Sequence, residues 1–191
     1  MPANGCLPSV SVNIDRDCLD IAAANLAAIL RLPHADTVIL GLNWDHDTLV
    51  DAHGQALDNR DGRALVAGLD DLTGRLVAAG RRVILIGPLA EPGWDVPSVR
   101  ARELAFGRPS SHADSIPREA FSGRFGSALQ HFADRRDVTL VRPDRLQCPD
   151  ERCYYVLEGR SLFADSNHLS SGALPRFSGA FAVALAPATA Q

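Results

Sequence analysis

Arg82-Val-Ile-Leu-Ile-Gly-Pro88 is an unbroken apolar run, rich in β-branched residues and ended by a glycine-proline stop. A strand with one wet face would alternate apolar and polar residues, so this run reads as a strand buried on both faces. Two stretches on its N-terminal side turn that strand into a fold. Residues 57–80 carry Leu65, Val66, Leu69, Leu72, Leu76 and Val77 at helical spacing and close on Gly80, a suitable C′ residue, although Gly62, Gly68 and Gly74 lower the intrinsic propensity. Before them, Asp36-Thr-Val-Ile-Leu-Gly41 is a second run of the buried-strand type. Strand, helix, strand in that order is a right-handed βαβ unit with parallel strands.

The pattern continues in both directions. Residues 21–32 are alanine-rich with helical apolar spacing and stop at Pro33, while residues 1–20 show no assignable element. Residues 118–135 place Phe121, Phe125, Leu129 and Phe132 on one helical face, and Asp137-Val-Thr-Leu-Val141 is a third strand. Between them, residues 89–117 form a long proline-punctuated loop with a short helical piece at 98–106; loops of that length in a small domain are usually functional. Tyr154-Tyr-Val-Leu157 and Ser161-Leu-Phe163, separated by Glu158-Gly-Arg160, read as a hairpin. Residues 170–185 read as a closing helix interrupted near Pro175, followed by a frayed Ala/Pro/Thr tail.

At 191 residues the chain suits a single domain, residues 1–191, with a core that needs no obligatory staple. All 19 basic residues are arginine, the net charge is −4, and no basic patch appears, which argues against a nucleic-acid partner. No apolar run approaches the ~20 residues that span a bilayer, and Met1-Pro-Ala-Asn-Gly-Cys6 lacks the basic and apolar regions of a signal peptide.

The cysteines form two locally spaced pairs, Cys6 with Cys18 and Cys148 with Cys153. Four cysteines allow three connectivities, of which local pairing is the simplest. The spacings differ from those of zinc knuckles and no histidine adjoins either pair, so disulfides come first, ahead of free buried thiols or a metal. Disulfides imply an oxidising compartment.

Chemistry can sit where strands end. In open parallel sheets ligands bind beyond the carboxyl ends of the strands, and three features fall there: Asn43 after the first clear strand, the loop of residues 88–97 after the second, and Asp165-Ser-Asn-His168 after the hairpin. A carboxylate and an imidazole three residues apart in a turn share one side, so Asp165 can accept from one ring nitrogen and leave the other pointing outward. That is the base half of a Ser-His-Asp triad. An Asn amide such as that of Asn43 can donate to a developing oxyanion, although Gly41-Leu-Asn43 also suits a strand-ending turn. His34, His46, His53, His112 and His131 show no ligand spacing, and Asp45-His-Asp47 reads as a solvated loop, so no metal or cofactor is expected. Trp44 and Trp94 suit either a sugar or acyl pocket or a packed loop anchor. Ser9, Ser11, Ser166 and Ser170 lack the strand-to-helix elbow of a nucleophile.

Together, Gly41-Leu-Asn43 and Asp165-Ser-Asn-His168 resemble the third and last blocks of the SGNH, or GDSL-like, hydrolases and acyltransferases. The loop Pro88…Pro92-Gly-Trp-Asp-Val-Pro97, the Cys-x4-Cys loop and the early Cys6-Leu-Pro8 further resemble the SGNH domain fused to bacterial acyltransferase-3 membrane proteins, over residues 6 to about 173.

The resemblance implies a three-layer αβα fold with a flavodoxin-like parallel sheet. It also implies His168 as base, Asp165 as its orienting carboxylate, and Asn43 in the oxyanion hole. The expected partners are an acyl donor, a glycan acceptor and an upstream membrane acyltransferase domain, in a periplasmic setting tethered to the inner membrane. The Gly-Asp-Ser block that carries the nucleophilic serine does not occur in the sequence, and Gly5 is the candidate for the second block's glycine. Relative to the family pattern the chain is truncated at its N-terminus and lacks the first strand. A free-standing esterase and a catalytically silent glycan-binding remnant are the alternatives.

Overall fold

A computed structural model describes residues 5–34 and 36–186; what was expected of Met1 to Asn4 and of the tail beyond Ala186 lies outside the described residues. In chain order the first elements are β1 (Val12–Asn13), α1 (Arg16–Arg31), β2 (Thr37–Leu40), β3 (Thr48–Asp51), β4 (Ala56–Asp58), α2 (Arg63–Ala78) and β5 (Arg82–Ile86). They are followed by α3 (Val96–Phe106), β6 (Ser115–Pro117), α4 (Arg118–Asp134), β7 (Val138–Val141), α5 (Asp144–Gln147), β8 (Arg152–Tyr154), β9 (Val156–Leu157), β10 (Arg160–Ser161) and α6 (Leu174–Leu185). The chain divides into two compact units, one of residues up to Pro88 with Arg124–Val141, the other of Leu89–Gly123 with the residues from Arg142 onward.

The first unit is built on a parallel sheet in the order β2-β5-β7. Its register runs from Val38 beside Val83 and Leu40 beside Leu85 to Ile84 beside Thr139 and Ile86 beside Val141. As the central strand, β5 is buried on both faces at Val83, Ile84 and Leu85, as its sequence requires. The other apolar run behaves differently. In β2, Val38 and Leu40 are buried but Ile39 is 49% exposed, because β5 is the only strand paired with β2 among the described residues. A groove of about 400 Å3 runs beside this edge, lined by Ile21, Leu26, Ile29, Leu32, Leu40 and Leu76.

In α2, Leu65, Leu69, Leu72 and Leu76 are buried, each worth about 1.5–3 kcal/mol of transfer free energy. Gly80, at φ +75°, ends α2: its N–H donates to Val77 O (2.8 Å) and the Arg81 N–H to Leu76 O (3.0 Å), satisfying carbonyls the helix end would orphan. The N-terminal start of α1 escapes its apolar pattern. Asp15 caps it by accepting from the Cys18 N–H at 2.8 Å, so the helix begins at Arg16 rather than near Ile21. The supposedly irregular start also holds β1, which pairs with β3 in an antiparallel sheet completed by β4. Fully buried Asn13 knots this segment, accepting from the Leu7 N–H and donating to Leu7 O and Ser9 O.

In the second unit, β6 pairs with β8 and β9 with β10, both antiparallel. The β9–β10 hairpin turns through Glu158 (φ 53°) and Gly159 (φ 75°), a left-handed pair that matches strand twist. Pro175 lies in the first turn of α6, where its missing N–H costs nothing. It therefore starts this helix at Leu174 instead of interrupting one that begins at residue 170.

Both local cysteine pairs are disulfides, Cys6–Cys18 and Cys148–Cys153. No helix among the described residues is long and apolar enough to cross a membrane.

Candidate active site

Asp165 and His168 sit on a turn with a buried stem. Leu162 and Phe163 are buried, Phe163 bridges to Leu169, and the Ala164 N–H donates to His168 O at 2.7 Å, closing the loop of residues 164–168. Below the neck, the Ser170 N–H donates to Leu162 O (2.9 Å) and its hydroxyl to Ser161 O (3.0 Å).

Within this loop the Asp165 carboxylate works with both oxygens. Oδ1 accepts the backbone N–H groups of Asn167 (2.9 Å) and His168 (2.8 Å), while Oδ2 lies 2.8 Å from His168 Nδ1. The backbone N–H of Asn167, that of His168 and then the His168 ring together hold the Asp165 carboxyl down to about 2. An ionised carboxylate at Nδ1 selects the tautomer that carries its proton there and leaves Nε2 as the basic nitrogen. Nε2 has no hydrogen-bond partner among the described residues, and the His168 side chain is 76% exposed. The pair is thus an imidazole oriented through one nitrogen and presented through the other.

The loop after β5 reaches this turn: the Gly93 N–H donates to Ser166 O at 3.2 Å. Trp94 follows, tilted against His112 at 4.6 Å and edge-on to Tyr155 at 6.3 Å, and Tyr155 in turn meets the buried ring of Phe163. Gln147 anchors the start of the same loop. Its fully buried amide accepts from the Ala90 N–H (2.7 Å) and donates to Ala90 O (2.7 Å) and Tyr154 O (3.1 Å).

Asn43 belongs to the first unit, just beyond the C-terminal end of β2. Its Oδ1 accepts from the Asp45 N–H at 2.6 Å, which fixes the orientation of the amide. Trp44 is a packed anchor for this loop: it is buried, its indole N–H donates to Ile86 O at 3.0 Å, and its ring meets Phe132 edge-on at 6.2 Å.

Asp45 and Asp47 are not simply solvated, because Arg124 of α4 ion-pairs with both, at 3.0 and 2.9 Å, and donates to the carbonyls of Asn59 and Arg60. Between them, burial lowers the pKa of His46. No cluster of metal-binding side chains occurs among the described residues.

Sequence reasoning missed Arg124, Gln147 and Asn13. Each is an ordinary polar residue with no motif around it: Arg124 and Gln147 find partners on distant segments, and Asn13 finds them in the folded loop of residues 7–18.

A parallel α/β sheet with an Asn-bearing loop after one strand and an Asp-x-x-His turn defines the class of SGNH-type hydrolases and acyltransferases. The chain belongs to one branch of it, the SGNH domain fused to AT3 domains, whose family model matches residues 1–182. Among solved structures it is similar to the periplasmic domain of a Salmonella ser. Paratyphi A lipopolysaccharide acetyltransferase. The TM-score is 0.63 at 12% identity, with 94% of this chain and 69% of that one covered, a likeness of fold. No curated protein matches the sequence.

Proposed function

We propose that this chain is most of the SGNH domain of an O-acyltransferase that places an acyl group, acetyl in the simplest case, on a glycan hydroxyl outside the cytoplasm. The observation that carries the reading is the Asp165–His168 pair, with Nδ1 held by an ionised carboxylate and Nε2 presented outward. The family's fusion to AT3 domains favours transfer over hydrolysis, and the two disulfides favour an oxidising compartment.

In this mechanism a serine that the chain does not itself supply attacks the carbonyl carbon of the acyl donor. His168 Nε2 takes the serine proton, Asp165 holds the resulting imidazolium, and the Asn43 amide with backbone N–H groups receives the oxyanion. Collapse breaks the bond to the donor's leaving group, which takes the proton from Nε2. A sugar hydroxyl then attacks the acyl-serine, passes its proton to Nε2, and leaves as the ester when the serine oxygen is reprotonated.

The serine is assigned to a strand pairing with the open edge of β2, and the 400 Å3 groove beside that edge supports the assignment. The gene sequence upstream of the Met1 codon tests it. An in-frame apolar strand ending in Gly-Asp-Ser, preceded by a multi-helix membrane segment, is expected. A cleavable signal peptide in place of the membrane segment would point to an esterase, and the absence of any in-frame Gly-Asp-Ser would leave no nucleophile and end the proposal.

A further inference from the structure

The second unit holds a pocket that the catalytic assignment does not use. One face of α3, carrying Val99, Arg102, Glu103 and Phe106, forms one wall, and the returning segment with Arg108, Ser110 and His112 forms the other. The pocket is open and encloses about 560 Å3, enough for one or two sugar rings.

Its shape follows from the sequence. Gly107 ends α3 at φ +60°, which turns the chain back on itself. Glu103 then staples the return, Oε1 accepting the Ser110 N–H and Oε2 the Arg100 guanidinium, both at 2.7 Å. Arg100 therefore offsets the one carboxylate in the wall. Arg102 and Arg108 enter no ion pair among the described residues; the Arg102 Nε–H donates only to Ser98 O, at 3.2 Å. Phe106, 72% exposed, lines the same pocket as these two guanidinium groups.

His112 joins the pocket to the catalytic turn. It lies tilted against Trp94, and the neighbouring Gly93 N–H donates to Ser166 O between Asp165 and His168.

Resting on the acyl-transfer reading above, we infer that this pocket is the acceptor subsite and that it takes an acidic sugar residue of the glycan. Phe106 and His112 meet the sugar rings, and Arg102 and Arg108 grip the carboxylate in the fork geometry that suits guanidinium. A bilayer surface fits less well. Lipid-binding patches gather about four to eight cationic side chains, whereas this concave site offers two with a carboxylate between them, in a chain of net charge −4.

Titration of the 191-residue chain with hexagalacturonate, followed by amide and indole N–H resonances, tests the inference. Saturable shifts are expected at residues 99–112 and at the Trp94 indole, with little response to neutral maltohexaose. The exposed-site variant Arg102→Ala/Arg108→Ala should bind at least tenfold more weakly while its remaining spectrum is unchanged, and Arg102→Lys/Arg108→Lys should recover part of the loss. His168→Ala should bind like the parent, so the subsite stands or falls separately from the catalytic assignment. Equal response to maltohexaose, identical shifts with inorganic phosphate alone, or undiminished binding by the double alanine variant would each overturn it. Arginine-dependent binding to phosphatidylglycerol vesicles without any oligosaccharide response would do the same and mark a membrane-facing surface.

Discussion

Asp165 Oδ2 lies 2.8 Å from His168 Nδ1, and the same carboxylate's other oxygen accepts the backbone N–H of His168 itself. The carboxylate is therefore fixed by the residue it orients, in a turn whose neck is closed by main-chain bonds. This arrangement has a titration signature. Hydrogen bonds to the charged form hold the Asp165 carboxyl at about 2, below the ordinary 3.8. Because the folded value is depressed, the stabilising contribution is fully present above the unfolded value and is lost as pH falls through about 2. The side-chain carboxyl carbon, followed by NMR, should titrate with a midpoint near 2. A midpoint near 3.8 would mean that the turn does not hold the carboxylate.

Arg124 braces the loop that carries Asn43, through Asp45, Asp47 and two carbonyls. Both carboxylates are well exposed, so the ion pairs themselves contribute little, and Arg124→Ala should lower stability by only about 1 kcal/mol in urea unfolding. On the proposal that Asn43 donates to the oxyanion, acyl transfer by a serine-bearing form should fall by more than tenfold, since misplacing such a donor would cost more than the ion pair is worth. Unchanged turnover with lowered stability would reduce Arg124 to a purely structural brace.

Gln147 is the opposite case, a single buried amide serving three main-chain groups. Gln147→Leu fills the same space but strands the Ala90 N–H and two carbonyls. Its cost should reach about 2–4 kcal/mol in the urea midpoint. A loss under 1 kcal/mol would show that water reaches these groups.

Two glycines of α2 should respond in opposite directions. A Cβ on Gly68 would overlap Val12 Cγ2 and Ser9 Oγ, whereas nothing lies within 4 Å of the same position on Gly74. Gly74→Ala should raise thermal stability by about 0.5–1 kcal/mol through helix propensity, and Gly68→Ala should lower it. If both stabilise, the close approach of β1 to α2 is wrong.

The parallel sheet was legible because β5 and the 137–141 run spell out burial in their composition, and Gly80 announced the end of α2. The Asp165–His168 pair was legible because both partners lie within one turn. Part of what escaped was local, and part depended on partners distant in sequence. The Asp15 cap put the start of α1 before its apolar pattern began. The exposure of Ile39 follows from which strands flank β2, which its own residues do not encode, and the bonds of Arg124 and those between Gln147 and Ala90 span 57 residues or more. The role of Pro175 was misread because proline breaks a helix in its interior and begins one in its first turn.

The most direct measurement of the proposed function is acyl transfer to a glycan by a protein in which the proposed Gly-Asp-Ser strand precedes this chain, with His168→Ala compared against the parent at matched folding. Loss of the base should lower turnover at least a thousandfold, with no acyl-serine found by intact mass. Turnover within tenfold of the parent, or an acyl-serine formed at a normal rate, would contradict the assignment of His168 as the catalytic base.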